Sequence, residues 1–159
     1  MGELCRAVAW HWQSRGGRAN EEENAGRAGR NMSGYLQNFD LTHGINILRL
    51  ICGLFFIPHI YAKFFVPEAL GFFVAAKFRP PAAWMYTASV IETFLAIGLI
   101  FAILPVLAGA LGCVHLLVAG AAVWKVTKGK WLWNIGGYEY CLFWAICCLV
   151  VAMHYSEIG

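Results

Sequence analysis

Hydrophobic positions fall in four long runs, over residues 44–65, 83–104, 106–126 and 138–155, separated by stretches where Lys, Arg, Pro, Trp and Asn return. Each run is close to the ~20 apolar residues that carry a helix across a ~30 Å hydrocarbon layer at ~1.5 Å per residue. Backbone amides in lipid find partners only within the chain, and four short runs cannot close a barrel, so the runs predict helices. The expected fold is all-α, a transmembrane four-helix bundle. Pro105 alone separates the second and third runs, and because Pro is tolerated only in the first turn of a helix, those two helices are expected to form a tight antiparallel hairpin. Two longer connections remain. Residues 66–82 carry Phe72, Phe73, Lys77, Phe78 and Arg79 ahead of Pro80 and Pro81, and residues 127–137 carry Lys128, Lys130, Trp131, Trp133 and Asn134. Both are mixtures that settle at headgroup depth.

Composition strengthens the membrane reading and removes other classes. The chain is 60% hydrophobic and 13% charged with mean hydropathy +0.59, against ~45–50% and about 25% in soluble domains. A net charge of +3 is too slight and too scattered for a nucleic-acid partner. The cysteines at 5, 52, 113, 141, 147 and 148 include no C-x-x-C pair, so neither a zinc knuckle nor a thioredoxin-like motif is indicated, and no metal site is expected. Inside apolar runs they read as buried, reduced thiols. Cys147 and Cys148 point about 100° apart on a helix and do not suit a disulfide.

Residues 1–31 differ from the rest, with five Arg and the acidic run Glu21, Glu22, Glu23, and are expected to form a disordered extension. The apolar stretch 7–10 is far short of the ~7–15 residues of a signal-peptide core. Met32 stands where the composition changes, so an alternative reading makes it the translation start and leaves 32–159 as the membrane domain. A native peptide covering residues 21–30 would exclude that reading. With an even number of spans both termini share one face. The other face holds Lys77, Arg79, Lys125, Lys128 and Lys130, against Arg27 and Arg30 at most beside the termini, so the positive-inside rule places the long loops in the cytoplasm and the termini outside.

Ionisable groups inside a span cost about 2.5–3.5 kcal/mol each on insertion scales, so they persist where paired, hydrated or useful. Arg49, His59 and Lys63 fall on one face of the first helix with Phe56 among them, since fourteen residues at ~100° each come within about 40° of whole turns. Arg49 and Lys63 are about 21 Å apart along the axis, and snorkelling to opposite headgroup layers is the alternative account of that pair. Glu92 sits near the middle of the second span beside Ser89 and Thr93, His115 near the middle of the third, and Glu139 and His154 near the two ends of the fourth. A carboxylate at Glu92 either takes up a proton or meets a cation, and Arg49 or His59 is the nearest candidate partner. Small residues at helical spacing mark contacts between helices: Ala108, Gly112 and Ala119, and Gly109, Cys113 and Gly120, in the third span, with Cys52 and Gly53 in the first and Ala96 and Gly98 in the second.

The sequence resembles the DoxX family of small four-span membrane proteins. The likeness rests on Leu48, Arg49, Leu50 and Gly53, on Pro58, His59 and Lys63, on Glu92 with Gly98, and on the stretch W-L-W-N-I-G-G-Y-E-Y at 131–140; Cys141 stands where the family usually has Pro. The resemblance implies an accessory or quinone-interacting subunit of a membrane oxidoreductase assembly, working with soluble sulfur-transfer or redox proteins, rather than a self-sufficient enzyme. Arg49, His59, Lys63, Glu92 and His115 are then the interior polar set, with Asn134 and Glu139 at its mouth and a quinone head group as the candidate cofactor. Haem would need facing axial ligands, for which only His59 and His115 are available, and is not expected. A small-molecule carrier or sensor and a structural scaffold are the alternatives, and a homo-oligomer stays open.

Overall fold

A computed structural model describes residues 24–27, 29, 32–131 and 137–158. The chain divides into two units, Met1–Asp40 and Leu41–Gly159. In the first, residues 24–27, 29 and 32–37 are helical and exposed, and the Tyr35 ring lies edge-on to Phe39 at 5.3 Å. The rest of the expected extension lies outside the described residues.

The second unit consists of α1 (Gly44–Leu54), α2 (Phe56–Phe65), α3 (Glu68–Ala75), α4 (Pro81–Ile100), α5 (Pro105–Thr127) and α6 (Tyr138–Ile158), with no strand among the described residues. Four stretches are long and apolar enough to cross a membrane: Gly44–Phe65, Pro81–Ile100, Pro105–Thr127 and Tyr138–Glu157. The expected all-α, four-span architecture is therefore present, with local differences that have physical causes. The first span is broken into α1 and α2 at Phe55. Pro58 explains the break, because it offers no N–H to the Leu54 carbonyl and its ring crowds that oxygen. The hairpin turn is longer than a single Pro. Helix α4 stops at Ile100, Ala102 and Leu104 take φ of 53° and 49°, the Ile103 N–H returns to the Gly98 carbonyl at 2.9 Å, and Pro105 opens α5. Residues 66–82, expected to be interfacial, contain the eight-residue helix α3 with Glu68 in its first turn, where the dipole favours an acid.

Lipid tails are as apolar as Leu, so these helices cohere by close packing rather than by hydrophobic exclusion. The α5–α6 contact is the broadest. A Cβ on Gly109 would sit 2.8 Å from the Cys148 carbonyl oxygen and 3.0 Å from the Ala152 nitrogen, one on Gly112 would meet Cys148 Sγ at 3.4 Å, and one on Gly120 would meet Cys141 Cβ at 3.2 Å. On α1, a Cβ at Gly53 would reach the Ile100 nitrogen at 3.1 Å, so α1 rides directly on the end of α4. Phe56, Leu99, Val151, Cys52 and Cys148 fill the centre. All the described cysteines are free thiols. The outer surface is apolar, with Phe94 71% and Phe143 67% exposed, as a lipid-facing surface requires.

Candidate functional site

The intramembrane polar residues sort into two groups at different depths. The first lies at the hairpin end and centres on Arg49, which is completely buried. Its guanidinium donates to the Leu99 carbonyl, to the Ile100 carbonyl at 3.0 Å and to the Tyr155 hydroxyl at 3.1 Å, and that hydroxyl donates to Asn46 Oδ1 at 2.6 Å. Leu99 and Ile100 end α4, where the last carbonyls have no intrahelical donor and the dipole is negative. Arg49 thus supplies both donors and positive charge to a helix terminus buried in the bundle. The Gly53 approach makes this reach possible by bringing α1 onto the α4 end.

The second group lies near the middle of the membrane. Glu92, on α4, is buried; Lys63 Nζ, on α2, is 2.5 Å from one of its carboxylate oxygens and His115 Nε2, on α5, is 3.1 Å from the other. The Lys63, Glu92 and His115 side chains are only 12%, 8% and 15% exposed. An acid in this setting is held as an ion pair because both carboxylate oxygens have a donor, the condition under which a buried pair offsets its desolvation. Ser89 and Thr93, which flank Glu92 in sequence, turn back to their own helix, donating to the Met85 and Ser89 carbonyls at 3.0 and 2.8 Å.

This triad forms part of the wall of a cavity of about 670 Å3 bounded by α2, α3, α4, α5 and α6. His59 and Trp144 also line it, their rings 5.4 Å apart between centroids, and the rest of the wall is almost entirely Phe, Trp, Ala, Leu, Ile and Val. Trp144 is 4% exposed and its indole N–H has no hydrogen-bond partner. An apolar chamber in the ~300–1,000 Å3 range with a few convergent polar groups has the form of a small-molecule site.

Of the expected site residues, His59, Lys63, Glu92 and His115 come together at the cavity. Arg49 does not join them. It too bonds to α4, but at the C-terminal end of that helix, whereas Lys63 meets it at Glu92 nearer the middle. The partner of Glu92 is correspondingly Lys63 together with His115, not Arg49 or His59, and Lys63 does not snorkel away. Glu139 lies in the first turn of α6 and folds over Gly137, where a Cβ would overlap its carboxylate, and it is not among the cavity-lining residues. Asn134 lies outside the described residues. Asn46 and Tyr155 were not singled out from sequence. Asn46 stands three residues before Arg49 on the same helical face, which was a usable signal, whereas Tyr155 meets them across 106 residues of chain. Among the described residues no group of three or more His, Cys, Asp or Glu side chains is placed to hold a metal ion.

The fold and the site define a four-span integral membrane protein with a polar triad set in an apolar intramembrane chamber. Residues 44–125, more than half of the chain, match DoxX. The chain belongs to the DoxX family. The match takes in the first three spans and every residue of the triad, and stops short of 131–140 and the fourth span. No curated protein and no solved structure matches the chain.

Proposed function

We propose that this DoxX-family protein is a quinone-interacting accessory subunit of a membrane oxidoreductase assembly, in which the chamber holds the quinone head group. One observation carries the reading: Lys63, Glu92 and His115, from three different helices, converge on one wall of an otherwise apolar cavity. A quinone is a flat apolar ring with two hydrogen-bond-accepting carbonyls, and the donor set fits it. Lys63 Nζ has three N–H bonds and gives one to Glu92, which leaves two for the carbonyls of the ring. When bound, such a group accepts two electrons and two protons. The chain's own residues bind and orient the ring, exclude water through Phe72, Phe73 and Trp84, and hold protons at Lys63 Nζ, His115 Nε2 and the Glu92 carboxylate beside it.

No described residue pair suits direct electron transfer, so the electrons come from a soluble redox or sulfur-transfer partner. That partner docks on the cytoplasmic face, which in this reading carries the two long connections and their lysines, with both termini on the opposite side. The experiment is extraction in mild detergent followed by quantification of quinone per chain. The proposal expects near-stoichiometric quinone with the native chain and a large loss with Glu92→Gln. No retained quinone, together with ligand flux through reconstituted vesicles, would replace it with a carrier.

A further inference from the structure

The cavity is open on one side, and the position of that opening constrains its ligand beyond the reading above, on which this inference rests. Large apolar residues of both helices line the cavity and are at the same time exposed: Trp84 and Ile91 on α4 at 49% and 40%, and Leu111, Val114 and Val118 on α5 at 50%, 58% and 58%. A side chain that is both wall and outer surface marks a mouth. Helices α4 and α5 meet tightly beside their hairpin, where a Cβ on Gly98 would lie 2.9 Å from Ala108 Cβ. Past the Glu92–His115 contact they are bridged by no further hydrogen bond or ion pair among the described residues.

Depth supplies the second constraint. Glu92 is the twelfth of the twenty residues of α4, so the mouth opens beside the hydrocarbon layer and not into water. A phospholipid or fatty acid keeps its charged head at the interface, because bringing a charge to mid-depth is costly. The Lys63–Glu92 pair also compensates its own charge, leaving little net field to recruit an anion.

We propose that the ligand is a membrane-dissolved amphiphile with an uncharged, hydrogen-bonding head and a long apolar tail, which reaches the triad sideways from the lipid through the cleft between α4 and α5. Its head lies at Lys63, Glu92 and His115, and its tail lies along Ile91, Val114 and Val118. Water-soluble anions and interfacial lipids are excluded by depth.

Trp84 and Trp144 line the chamber and report on occupancy by quenching. The test titrates the full-length protein in nanodiscs with decyl-benzoquinone and with tail-less benzoquinone, corrected for partition into the lipid, for the native chain and for Val118→Trp, Glu92→Gln and Val150→Trp. Val118 and Val150 are both exposed, so neither change disturbs the core, and Val150 lies on α6 away from the cavity. Once partition is corrected for, the proposal expects decyl-benzoquinone to bind several-fold tighter than the tail-less ring, because the tail gains close-packed contacts along Ile91, Val114 and Val118 that a bare ring does not make. Val118→Trp should weaken the decyl compound by a similar factor and Val150→Trp should leave it unchanged. Equal binding of both quinones, or no effect of Val118→Trp, while Glu92→Gln still abolishes binding, overturns the sideways entry and leaves the quinone site standing. Quenching that Glu92→Gln leaves untouched overturns both.

Discussion

Removing Lys63 and Glu92 singly and together separates a true buried pair from two independent polar residues. In Lys63→Met the carboxylate of Glu92 keeps His115 at 3.1 Å but loses its 2.5 Å partner, at 8% side-chain exposure. Breaking a buried pair by deleting one member costs about 3–5 kcal/mol, and the surviving histidine places Lys63→Met at the low end, at about 3 kcal/mol. In Glu92→Leu the ammonium of Lys63 is stranded at 12% exposure, where its flexible stem allows some retreat to the interface, so about 2–3 kcal/mol is expected. The double variant Lys63→Met, Glu92→Leu removes both charges and leaves apolar side chains of similar bulk, so it should recover most of the loss. The expected coupling is about 2–4 kcal/mol, several times the ~0.6 kcal/mol average for polar contacts between membrane helices. Reversible unfolding of the four proteins in mixed detergent and lipid micelles, titrated with a denaturing detergent, reads it directly. Additive losses, with a coupling below about 0.5 kcal/mol, would refute the reasoning that Glu92 is held as an enclosed ion pair.

Three further outcomes are expected. Gly109→Leu drives a side chain into the Cys148 carbonyl and the Ala152 backbone and should cost about 1–3 kcal/mol in the same unfolding assay, whereas Ala110→Leu on the exposed face beside it should change little. Arg49→Met leaves the Leu99 and Ile100 carbonyls without their side-chain donor and should cost roughly 2–4 kcal/mol, while Tyr155→Phe should cost only about 0.5–1.5 kcal/mol. Neither change touches the cavity, so in the fraction that folds quinone retention per chain should be unaltered. Gly53→Val, which forces α1 off the end of α4, should mimic Arg49→Met, and the two combined should be less than additive.

The spans were legible because lipid enforces a single rule, about 20 apolar residues with every backbone bond satisfied internally, and that rule is written residue by residue. Arg49 and Lys63, which the spacing places on one face of the first span, both bond to the same neighbouring helix. What periodicity does not encode is the axial register between helices, which decides that Lys63 stands level with Glu92 and that Arg49 stands level with the end of α4. That register follows from close packing at Gly53 against Ile100 and from the break that Pro58 imposes, both of them three-dimensional facts about small residues and a missing N–H. Helix α3 was hidden for a related reason: its eight residues, rich in Phe and small residues, carry an interfacial composition whether or not they are helical. Glu139, expected at the mouth, stands in the first turn of α6, where the dipole favours an acid, with its carboxylate folded over Gly137.

The central claim is that the chamber beside Glu92 is where a lipid-soluble head group binds. Photolabelling of the full-length protein in native lipid with an azido-quinone, followed by peptide mapping, tests this most directly. The account predicts label on α4 and α5 at Trp84, Ile91, His115 or Val118, displaced by unlabelled decyl-benzoquinone and lost in Glu92→Gln. Label spread over the lipid-facing Phe94, Phe143 and Met153, undiminished by competitor, would contradict it.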